Sequence, residues 1–452
     1  MNTIVAVATP PGRSAIGVIR LSGPESLAVA RSLIGEAQFS PEPGHAVLKS
    51  LRDLSANEIL DRALLTYFKG PHSYTGEDLV EISCHGSPII LRRIIDLILA
   101  LNARLAGPGE FTLRALSNGK MNLSQAEAIR DLINAQTSAA ARQAVRQLSG
   151  ELSARLRPVK EKLLQIIVIL ESALEFVEDD LPEFRTQEIK QGLAEIASDV
   201  RRFASTFSVG HLLRDGVKVT IMGRPNVGKS SLFNRLLNSD RAIVTDVPGT
   251  TRDSLTEPIS FKGIPVLLTD TAGMREPSDQ IEGIGVERTH RAMADADLLL
   301  GVIDGSTDLL PEDFDVLSHA SQSHLVVAVN KSDVASFRKP STEELDGEYR
   351  TVEVSALTGR GIDELRAAIL EPFESVDSGD PGLLITDSRH YDLLSRTEGE
   401  LELALRLLEE NASEELVLVG LHNGLRLLGE ITGETTPEDI LSRIFSSFCI
   451  GK

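Results

Sequence analysis

The order of apolar and polar positions divides the chain into segments of different kinds. Up to about residue 118, short strand-favouring runs alternate with a helical stretch at 88–100. From residue 124 to about 213, and again from 388 to 448, apolar residues recur at helical spacing. We therefore predict an N-terminal α+β domain followed by all-α segments. The strand-favouring runs are residues 16–21, 63–67 and 79–83.

Between the two helical segments the pattern changes again. Residues 217–222 form an apolar, strand-favouring run, and residues 325–329 form a continuous apolar run that is typical of a buried strand. The simplest arrangement is one helical domain interrupted by an inserted α/β domain, and periodicity alone leaves open two separate helical segments. The predicted boundaries are 1–118 for the α+β domain, 119–212 for the first helical part, 213–374 for the α/β domain and 375–452 for the second helical part.

A phosphate-binding loop follows the first buried strand. Residues 223–230 read Gly-Arg-Pro-Asn-Val-Gly-Lys-Ser, and helical spacing resumes at 231–237. In such a loop the backbone N–H groups and the helix N-terminus surround phosphate oxygens, and Lys229 reaches the β and γ oxygens. Ser230 is placed to bind Mg²⁺. The predicted nucleotide contacts of this loop are Asn226, Val227, Gly228, Lys229, Ser230 and Ser231.

Later motifs indicate that the base is guanine. Asn330, Lys331 and Asp333 directly follow the apolar run that ends at residue 329. The Asp333 carboxylate can accept two hydrogen bonds from the ring N–H and the exocyclic amine of guanine, a pair that adenine lacks. Ser355 and Ala356 follow a further strand-like run, where a backbone N–H could meet the guanine O6.

A fourth element lies between the phosphate loop and the guanine motif. Asp270 ends an apolar run, where its carboxylate can hold Mg²⁺ through water, and the Gly273 N–H can contact the γ-phosphate. The predicted contacts of this element are Asp270, Thr271, Ala272 and Gly273. Four elements in this order, each after a strand, predict a guanine-specific P-loop GTPase domain, and hence an enzyme that hydrolyses GTP.

The hydrolytic machinery is predicted to differ from that of Ras-like enzymes, in which a glutamine near this element orients the attacking water. Met274 follows Gly273 and has no group that could orient water. Glu282, in a glycine-bearing segment downstream, is the best candidate for that role. Arg252 and Arg275 lie in switch-like segments, but the sequence identifies neither as an arginine finger.

A bound monovalent cation could supply the missing positive charge. Asn226 offers an amide oxygen beside the phosphates, and residues 244–251 could place backbone carbonyls around the ion. Asn226 could equally be a structural asparagine of the loop, and the residues alone leave both interpretations open.

Motifs along the whole chain resemble the MnmE (TrmE) family of tRNA-modification GTPases. These motifs are the four elements above, Thr9-Pro10-Pro11-Gly12-Arg13, Gly249-Thr250-Thr251-Arg252-Asp253 and Cys449-Ile450-Gly451-Lys452. Because they include both ends of the chain, the resemblance covers the architecture and not only the GTPase domain.

The resemblance implies that the N-terminal domain dimerises and binds a tetrahydrofolate derivative, 5-formyl- or methylene-tetrahydrofolate. It places Arg20, Glu77, Lys120 and Lys452 around this ligand. A carboxylate such as Glu77 suits the amine and ring N–H of a pterin, and the cationic groups suit the folate carboxylates. It also places the C-terminal tail at the folate site, where Cys449 becomes a candidate catalytic residue.

The resemblance further implies a mechanism. Together with a flavoprotein, MnmG, a homodimer would install carboxymethylaminomethyl or aminomethyl on the wobble uridine of tRNAs, with folate supplying the one-carbon unit. GTP would bring two G domains together, with K⁺ bound by Asn226, Thr245, Val247 and Thr250, and Mg²⁺ by Ser230 and Thr251. The implied nucleotide-binding segment is Thr245, Asp246, Val247, Pro248, Gly249, Thr250 and Thr251.

Charge and composition narrow the partners. The formal net charge is −20, and residues 213–374 contain 17 basic and 27 acidic side chains. An acidic surface repels phosphate backbones, so we expect the flavoprotein partner to make most of the contact with tRNA. No run reaches the roughly 20 apolar residues of a membrane span, and the N-terminus lacks the features of a signal peptide. A cytoplasmic protein without membrane association is predicted.

Other interpretations remain. Cys449 could be a small hydrophobic residue at a helix end followed by a frayed tail, or a thiol that reaches a neighbouring pocket; a prenylation motif fits poorly. A ribosome-assembly GTPase of the Era or Der kind would share the G motifs, but the chain has no second P-loop and no basic Gly-x-x-Gly clamp of the KH type. A purely mechanical dimerising switch is the third alternative.

Overall fold

The structure is a computed structural model, and its described residues form two compact units. One unit consists of Met1–Arg130, Gln147–Leu156 and Leu425–Lys452, and the other of Asp131–Arg146 and Arg157–Gly424. The described residues are 2–53, 56, 58–175, 183–239, 256–270, 293–318, 324–341, 343–345, 349–373, 382–435 and 438–451.

Six strands of the first unit form one sheet in the order β3-β4-β5-β2-β1-β6. Neighbouring strands are antiparallel, except that β1 and β6 are parallel. The three predicted strand runs lie within β2, β4 and β5. The strands are β1 (Ile4–Val7), β2 (Ser14–Ser22), β3 (Ala46–Asp53), β4 (Glu58–Phe68), β5 (Leu79–Gly86) and β6 (Arg104–Leu105).

Three helices accompany this sheet: α1 (Ser26–Ile34), α2 (Pro88–Leu99) and α3 (Glu110–Ser117). Alternation along β2 directs Ile19 and Leu21 into the core, where Ile94 and Ile98 of α2 also lie. Each of these side chains is fully buried, and burial of such a side chain contributes roughly 1.5–3 kcal/mol. The opposite face of β2 is therefore left for polar side chains such as Arg20.

Five helices follow in the chain, as the helical spacing predicts. They are α4 (Leu123–Asn134), α5 (Ser138–Leu148), α6 (Glu151–Glu175), α7 (Glu183–Ser205) and α8 (Phe207–Asp215).

A second six-stranded sheet begins directly after α8, in the order β12-β11-β10-β7-β9-β8. All neighbours are parallel except β8 and β9. Every residue of β10 is buried, as expected for an inner strand of a parallel sheet that is covered on both faces. The strands are β7 (Val217–Met222), β8 (Thr256–Phe261), β9 (Ile264–Asp270), β10 (Leu298–Asp304), β11 (His324–Asn330) and β12 (Arg350–Glu353). The associated helices are α9 (Lys229–Ser239), α10 (Pro311–Ser318) and α11 (Ile362–Leu370), which a 3₁₀ turn (Glu371–Phe373) extends.

The chain then returns to helices α12 (Ser388–Glu409), α13 (Glu414–Thr432) and α14 (Glu438–Ser446). Helix α12 packs along α7, and Leu394 and Leu401 of α12 are fully buried. On the exposed side, Arg201 of α7 forms ion pairs with Glu398 and Glu402 of α12. Helices from before and after the α/β domain therefore pack together.

A half-buried arginine joins the two chain segments that enter and leave the α/β domain. Arg214, near the end of α8, lies 2.6 Å from Asp387 Oδ2 and 3.1 Å from Asp131 Oδ1. Asp387 is the N-cap of α12 and accepts a hydrogen bond from Arg389 N. Burial alone would raise the pKa of Asp387, but the charges of His390 and Arg214 and the hydrogen bonds it accepts hold that pKa well below its ordinary value.

The returning segment is also held through its backbone. The Gln143 side chain donates to Gly382 O at 2.8 Å and accepts from Leu384 N at 3.2 Å. The Thr206 hydroxyl accepts from Ile385 N at 3.0 Å. Residues 382–385, which lead into α12, are thus fixed to Gln143 of α5 and to Thr206 between α7 and α8.

We expect Arg214→Met to destabilise the helical part strongly. It removes the cation that the Asp131 and Asp387 carboxylates share, while His390 and the Arg389 N–H still stabilise Asp387, so the cost is at most the roughly 3–5 kcal/mol of a fully buried pair that loses one partner. The pKa of Asp387 is lowered in the fold, so its ionised carboxylate stabilises the fold fully above the ordinary pKa of an aspartate. This contribution to the free energy of unfolding is lost as the pH falls from that value through the folded-state pKa. Urea unfolding followed by helical circular dichroism should show a lower midpoint at pH 7, and a smaller difference from the wild type at acidic pH.

Arg201→Met is the matched control, because it removes an arginine with two carboxylate partners that lies at the surface. Exposed ion pairs contribute little, so its midpoint should equal that of the wild type. Equal shifts of the urea midpoint in the two variants would contradict the role of Arg214 as the residue that joins the two chain segments.

Candidate functional site

The loop between β7 and α9 is shaped by two glycines. Gly223 has φ +151°, and a Cβ there would lie 2.4 Å from Val302 O. Gly228 has φ +98°, and a Cβ there would lie 2.3 Å from Asn330 Nδ2. Asn226 adopts φ +65°, a left-handed conformation that asparagine tolerates better than most residues. The loop therefore passes close to two neighbouring strands, which only glycine permits at these positions.

The last two residues of this loop, Lys229 and Ser230, are each held by hydrogen bonds to neighbouring groups. Lys229 begins α9, is 8% exposed, and donates from Nζ to the carbonyl oxygens of Gly223 and Arg224, each at 2.8 Å. Ser230 Oγ donates to Asp270 Oδ2 at 3.0 Å. A hydroxyl and a carboxylate at this separation are hard oxygen ligands of the kind that Mg²⁺ takes, so these residues fit the ion.

The guanine motif is tied to the phosphate loop by one buried amide. Asn330 is 2% exposed. Its Nδ2 donates to Val227 O at 2.8 Å, and its Oδ1 accepts from Ala356 N at 3.1 Å. Asn330 thus connects three loops, and its role is to position them.

The other two residues of the motif point to a pocket. Lys331, with φ +68°, lies 2.5 Å from Asp304 Oδ2. Asp333 Oδ1 accepts from Ser355 Oγ at 2.6 Å, and Thr358 N donates to the same hydroxyl at 3.0 Å. The serine therefore orients the carboxylate that is predicted to read guanine.

A cavity of about 520 Å³ lies between these groups. The Arg235 guanidinium supports its far wall by donating to Ala356 O at 3.0 Å and to Leu357 O. The lining residues are Gly228, Ser231, Asn234, Arg235, Asn330, Lys331, Asp333, Val334, Ala356 and Leu357. The cavity joins the phosphate loop to the guanine motif, as a purine nucleotide requires.

A second polar cluster lies on the open face of the N-terminal sheet. Arg20 on β2 donates to Glu81 Oε1 on β5 at 2.9 and 2.7 Å. The guanidinium carbon lies 5.4 Å from the Tyr74 ring centre and 5.8 Å from that of Phe111. Arg20 also donates to Gly451 O at 3.4 Å, so the C-terminal tail reaches the same place.

Glu77 lies beside this arginine in the same cluster. Its Oε2 accepts from Ser22 Oγ at 2.8 Å and from Arg114 Nη1 at 2.9 Å. Arg114 is 4% exposed and also binds Glu110 at 2.9 Å. Burial alone would raise the pKa of Glu110, but Arg104, Arg114 and the Gly107 N–H lower it to about 2. Glu77 is thus held by a fixed cation.

The third predicted residue, Lys120, lies near Glu77. Its Nζ donates to Pro71 O at 2.9 Å, and its stem lies 3.4 Å from where a Cβ of Gly76 would be. The loop containing Pro71 and Gly76 also carries Tyr74 and Glu77. Arg20, Glu77 and Lys120 are therefore brought around one loop.

The tail is seated by close backbone contacts. Ile450 forms an antiparallel bridge with Pro108, and Gly109 N donates to Cys449 O at 3.4 Å. Gly451 has φ +101°, and a Cβ there would lie 2.6 Å from Val7 O. The frayed-tail interpretation does not fit residues 449–451, because these contacts fix their backbone.

Comparisons with known proteins cover the whole of this architecture. The family model described as GTP-binding protein TrmE N-terminus matches residues 3–120, and the one described as MnmE helical domain matches residues 123–449. A tRNA modification GTPase MnmE from Koribacter versatilis (strain Ellin345) is 44% identical over all of this chain and 99% of its own length. One from Aquifex aeolicus (strain VF5) is 43% identical over 99% of each chain.

The chain belongs to the MnmE family of tRNA modification GTPases. This confirms the resemblance inferred from the motifs, along with the predicted multidomain fold class. Among solved structures, the G domain of the T. maritima FeoB iron transporter is 28% identical and matches 34% of this chain and 97% of that domain, with a TM-score of 0.26.

Many residues that the motifs or the MnmE resemblance indicated lie outside the described part of the chain, and their roles stay predictions. They are Thr245, Asp246, Val247, Pro248, Gly249, Thr250, Thr251, Thr271, Ala272, Gly273, Glu282 and Lys452. No helix within the described residues is long and apolar enough to cross a membrane.

The two cysteines of this MnmE-family chain differ in accessibility. Cys84 is buried and Cys449 is exposed. Burial, together with the nearby charge of Asp61, raises the pKa of the Cys84 thiol to about 11, so this thiol is not available as a thiolate near neutral pH. If a cysteine takes part in chemistry, it is Cys449.

The ion-pair partners of Arg20 and Glu77 are distant from them in sequence. Glu81 and Arg114 could not be predicted as partners, because they lie 61 and 37 positions away from Arg20 and Glu77, with which they pair. One signal was available: Glu110 and Arg114 are four residues apart on a helix, a spacing that favours an ion pair.

We expect Asp333→Asn to lower the affinity for GTP by at least about tenfold, because an amide cannot accept both guanine donors. Its new donor should improve binding of XTP, whose base has an oxygen in place of the amine. Competition against a fluorescent GDP analogue measures both affinities. Asp363→Asn, an exposed acid on α11, is the control; an unchanged GTP affinity in Asp333→Asn would contradict the assignment.

Proposed function

We propose that this chain is a K⁺-activated GTPase that acts with the flavoprotein MnmG. The pair installs carboxymethylaminomethyl or aminomethyl on the wobble uridine of tRNAs, with a one-carbon unit from a tetrahydrofolate derivative. The observation that carries the proposal is the joint placement of Lys229, Ser230, Asp270 and Asp333 around one site, in a chain that matches the family over its whole length.

We propose the domain boundaries 1–118, 119–212, 213–374 and 375–452, with the last and second segments forming one helical domain. Packing of α12 on α7 supports this arrangement. So does the Arg214–Asp387 ion pair, which joins the entry and exit of the G domain. A movement of the G domain would then act directly on α8 and α12.

At the nucleotide site, the residues of this chain bind and orient. Lys229 would exchange the carbonyl oxygens of Gly223 and Arg224 for β- and γ-phosphate oxygens, since it already points across the loop. Ser230 and Asp270 would hold Mg²⁺, which neutralises charge on the transferred phosphoryl group. Glu282 is proposed to orient the attacking water.

Asn226 is proposed to bind K⁺. The residue is exposed at the tip of the phosphate loop, and its left-handed backbone turns the loop beside the phosphate position. Carbonyl and hydroxyl oxygens of Thr245, Val247 and Thr250 would complete the site. When bound, the ion would supply the positive charge that an arginine finger provides in other GTPases.

Replacing K⁺ with Na⁺ is expected to reduce GTP turnover by at least about tenfold, because an ion of the wrong size cannot supply that charge in place. Asn226→Ala should abolish the difference between the two salts, because it removes the proposed amide ligand of the ion. Steady-state phosphate release measures turnover. Equal wild-type rates in both salts would rule out the cation model.

The N-terminal cluster is proposed as the folate site. Glu77 offers a carboxylate for the pterin amine and ring N–H, and Lys120, Arg20 and Lys452 offer positive charge for the folate carboxylates. The Tyr74 and Phe111 rings beside Arg20 add aromatic surface for a flat ring system. Cys449 lies on the same tail as Gly451, whose carbonyl contacts Arg20.

We expect Glu77→Gln to weaken binding of 5-formyl-tetrahydrofolate by about tenfold or more, because a charge-assisted hydrogen-bond pair is lost. Isothermal titration gives the dissociation constants. The control is Glu36→Gln, which removes a surface acid paired with Lys49. A Glu77→Gln variant that binds folate as the wild type does would exclude this carboxylate from the site.

The remaining partners are proposed on family grounds and on charge. We propose a cytoplasmic homodimer that forms a heterotetramer with MnmG. The net charge of −20 supports a tRNA held mainly by that partner. Retention of folate on purification, together with copurification of a flavoprotein, would separate this function from a ribosome-assembly GTPase and from a purely mechanical switch.

A further inference from the structure

One segment contacts both ends of the nucleotide site from outside the cavity. It runs from Asp304, the last residue of β10, to Asp313 in the first turn of α10, and is called the 304–313 segment below. Neither aspartate lines the cavity. Both are nonetheless among the most buried acids of the G domain, at 7% and 1% exposure.

Asp313 holds the phosphate loop. Its two carboxylate oxygens each lie 3.1 Å from Arg224 Nε, and Arg224 Nη2 donates to Thr307 Oγ1 at 2.9 Å. The carboxylate also accepts from Leu310 N at 3.0 Å, so its own position is fixed. Arg224 is therefore held by two side chains of the 304–313 segment.

This contact reaches Lys229 through the backbone. The carbonyl oxygen of Arg224 is one of the two that accept from Lys229 Nζ. The preceding residue, Gly223, is packed so closely against Val302 O that no side chain fits. The side chain of Arg224 thus determines where this part of the loop lies, and with it the position from which Lys229 meets a phosphate.

Asp304 holds the guanine end. Its Oδ2 lies 2.5 Å from Lys331 Nζ, and its Oδ1 accepts from Ser306 N at 2.9 Å and Ser306 Oγ at 2.6 Å. With its ammonium fixed in this way, the Lys331 stem is directed along the wall of the cavity, where the base would lie.

We propose that Asp313 and Asp304 are positioning residues of the guanine-nucleotide site: Asp313 places the phosphate loop through Arg224, and Asp304 places the base-contacting Lys331. The inference rests on the nucleotide site of the proposed function. A rigid segment that holds both ends sets the distance between the phosphate and base contacts, and preorganisation of this kind lowers the cost of binding.

The test uses two ligands to distinguish the phosphate end of the site from the guanine end. Guanosine carries only the base and sugar, whereas GDP adds the phosphates. Asp313→Asn should weaken GDP binding by about tenfold and leave guanosine binding within about twofold, because a misplaced phosphate loop affects only phosphate contacts. Competition of guanosine and of GDP against a fluorescent GDP analogue, on the full-length chain, gives both constants.

Asp304→Asn is the matched variant, with the same isosteric change in the same segment. It should weaken guanosine and GDP by the same factor, because both ligands carry the base, so the ratio of their dissociation constants stays within about twofold of the wild-type ratio. A general loosening of the fold would not change the ratio in Asp313→Asn and leave it unchanged in Asp304→Asn.

Thr307→Val is a milder variant in case Asp313→Asn does not fold. It removes only the Nη2 partner of Arg224 and should change the ratio in the same direction, by a smaller factor. A wild-type ratio in both Asp313→Asn and Thr307→Val, or equal weakening of guanosine and GDP by Asp313→Asn, would overturn the inference. If the wild-type chain binds neither ligand, the proposed nucleotide site fails instead.

Discussion

The buried side-chain amide of Asn330 is the contact on which the nucleotide site depends. It donates to the phosphate loop at Val227 O and accepts from the opposite wall at Ala356 N. Gly228 leaves the space that this amide occupies. Because a buried amide without its partners costs free energy, the three loops are stable only in this mutual arrangement. The cavity for the nucleotide is a consequence of that constraint.

A similar principle operates where the G domain meets the helices. The chain crosses into the α/β domain after α8 and returns before α12, and Arg214 binds acids on both sides of this crossing. Hydrogen-bonded arginine–carboxylate pairs add geometric specificity, so two carboxylate partners restrict the position of the Arg214 side chain. Arg214 at the entry to the G domain and Asp387 after its exit are therefore joined by a direct ion pair.

Local patterns predicted most of the fold. The strand runs in β2, β4, β5, β7 and β11 follow from alternation or continuous apolarity, and the helices follow from their spacing. The placement of Lys229, Ser230 and Asp333 also follows from local motifs, because each side chain is positioned by the turn that carries it. These features depend on residues that are close in sequence.

What could not be predicted depends on pairs that are distant in sequence. The resemblance implies Arg20 as a folate contact, but its ion pair with Glu81 on the neighbouring strand has no signal in the sequence. Nothing in the sequence linked Arg224 with Asp313, or Arg214 with Asp387, since such pairs form only once sheet order and helix packing are set. The sign of a charge can be read from the sequence, but its partner cannot.

These distant pairs also explain how an acidic G domain can bind a polyanion. Asp270, Asp304 and Asp313 all lie near the carboxyl edge of the second sheet, where uncompensated acids would repel phosphates. Each is instead engaged by a donor: Ser230, Lys331 or Arg224. These acids thereby hold cationic and hydroxyl groups in place around the cavity. Acidic residues at the surface oppose nucleic-acid binding, whereas these buried acids stabilise the arrangement of the GTP site.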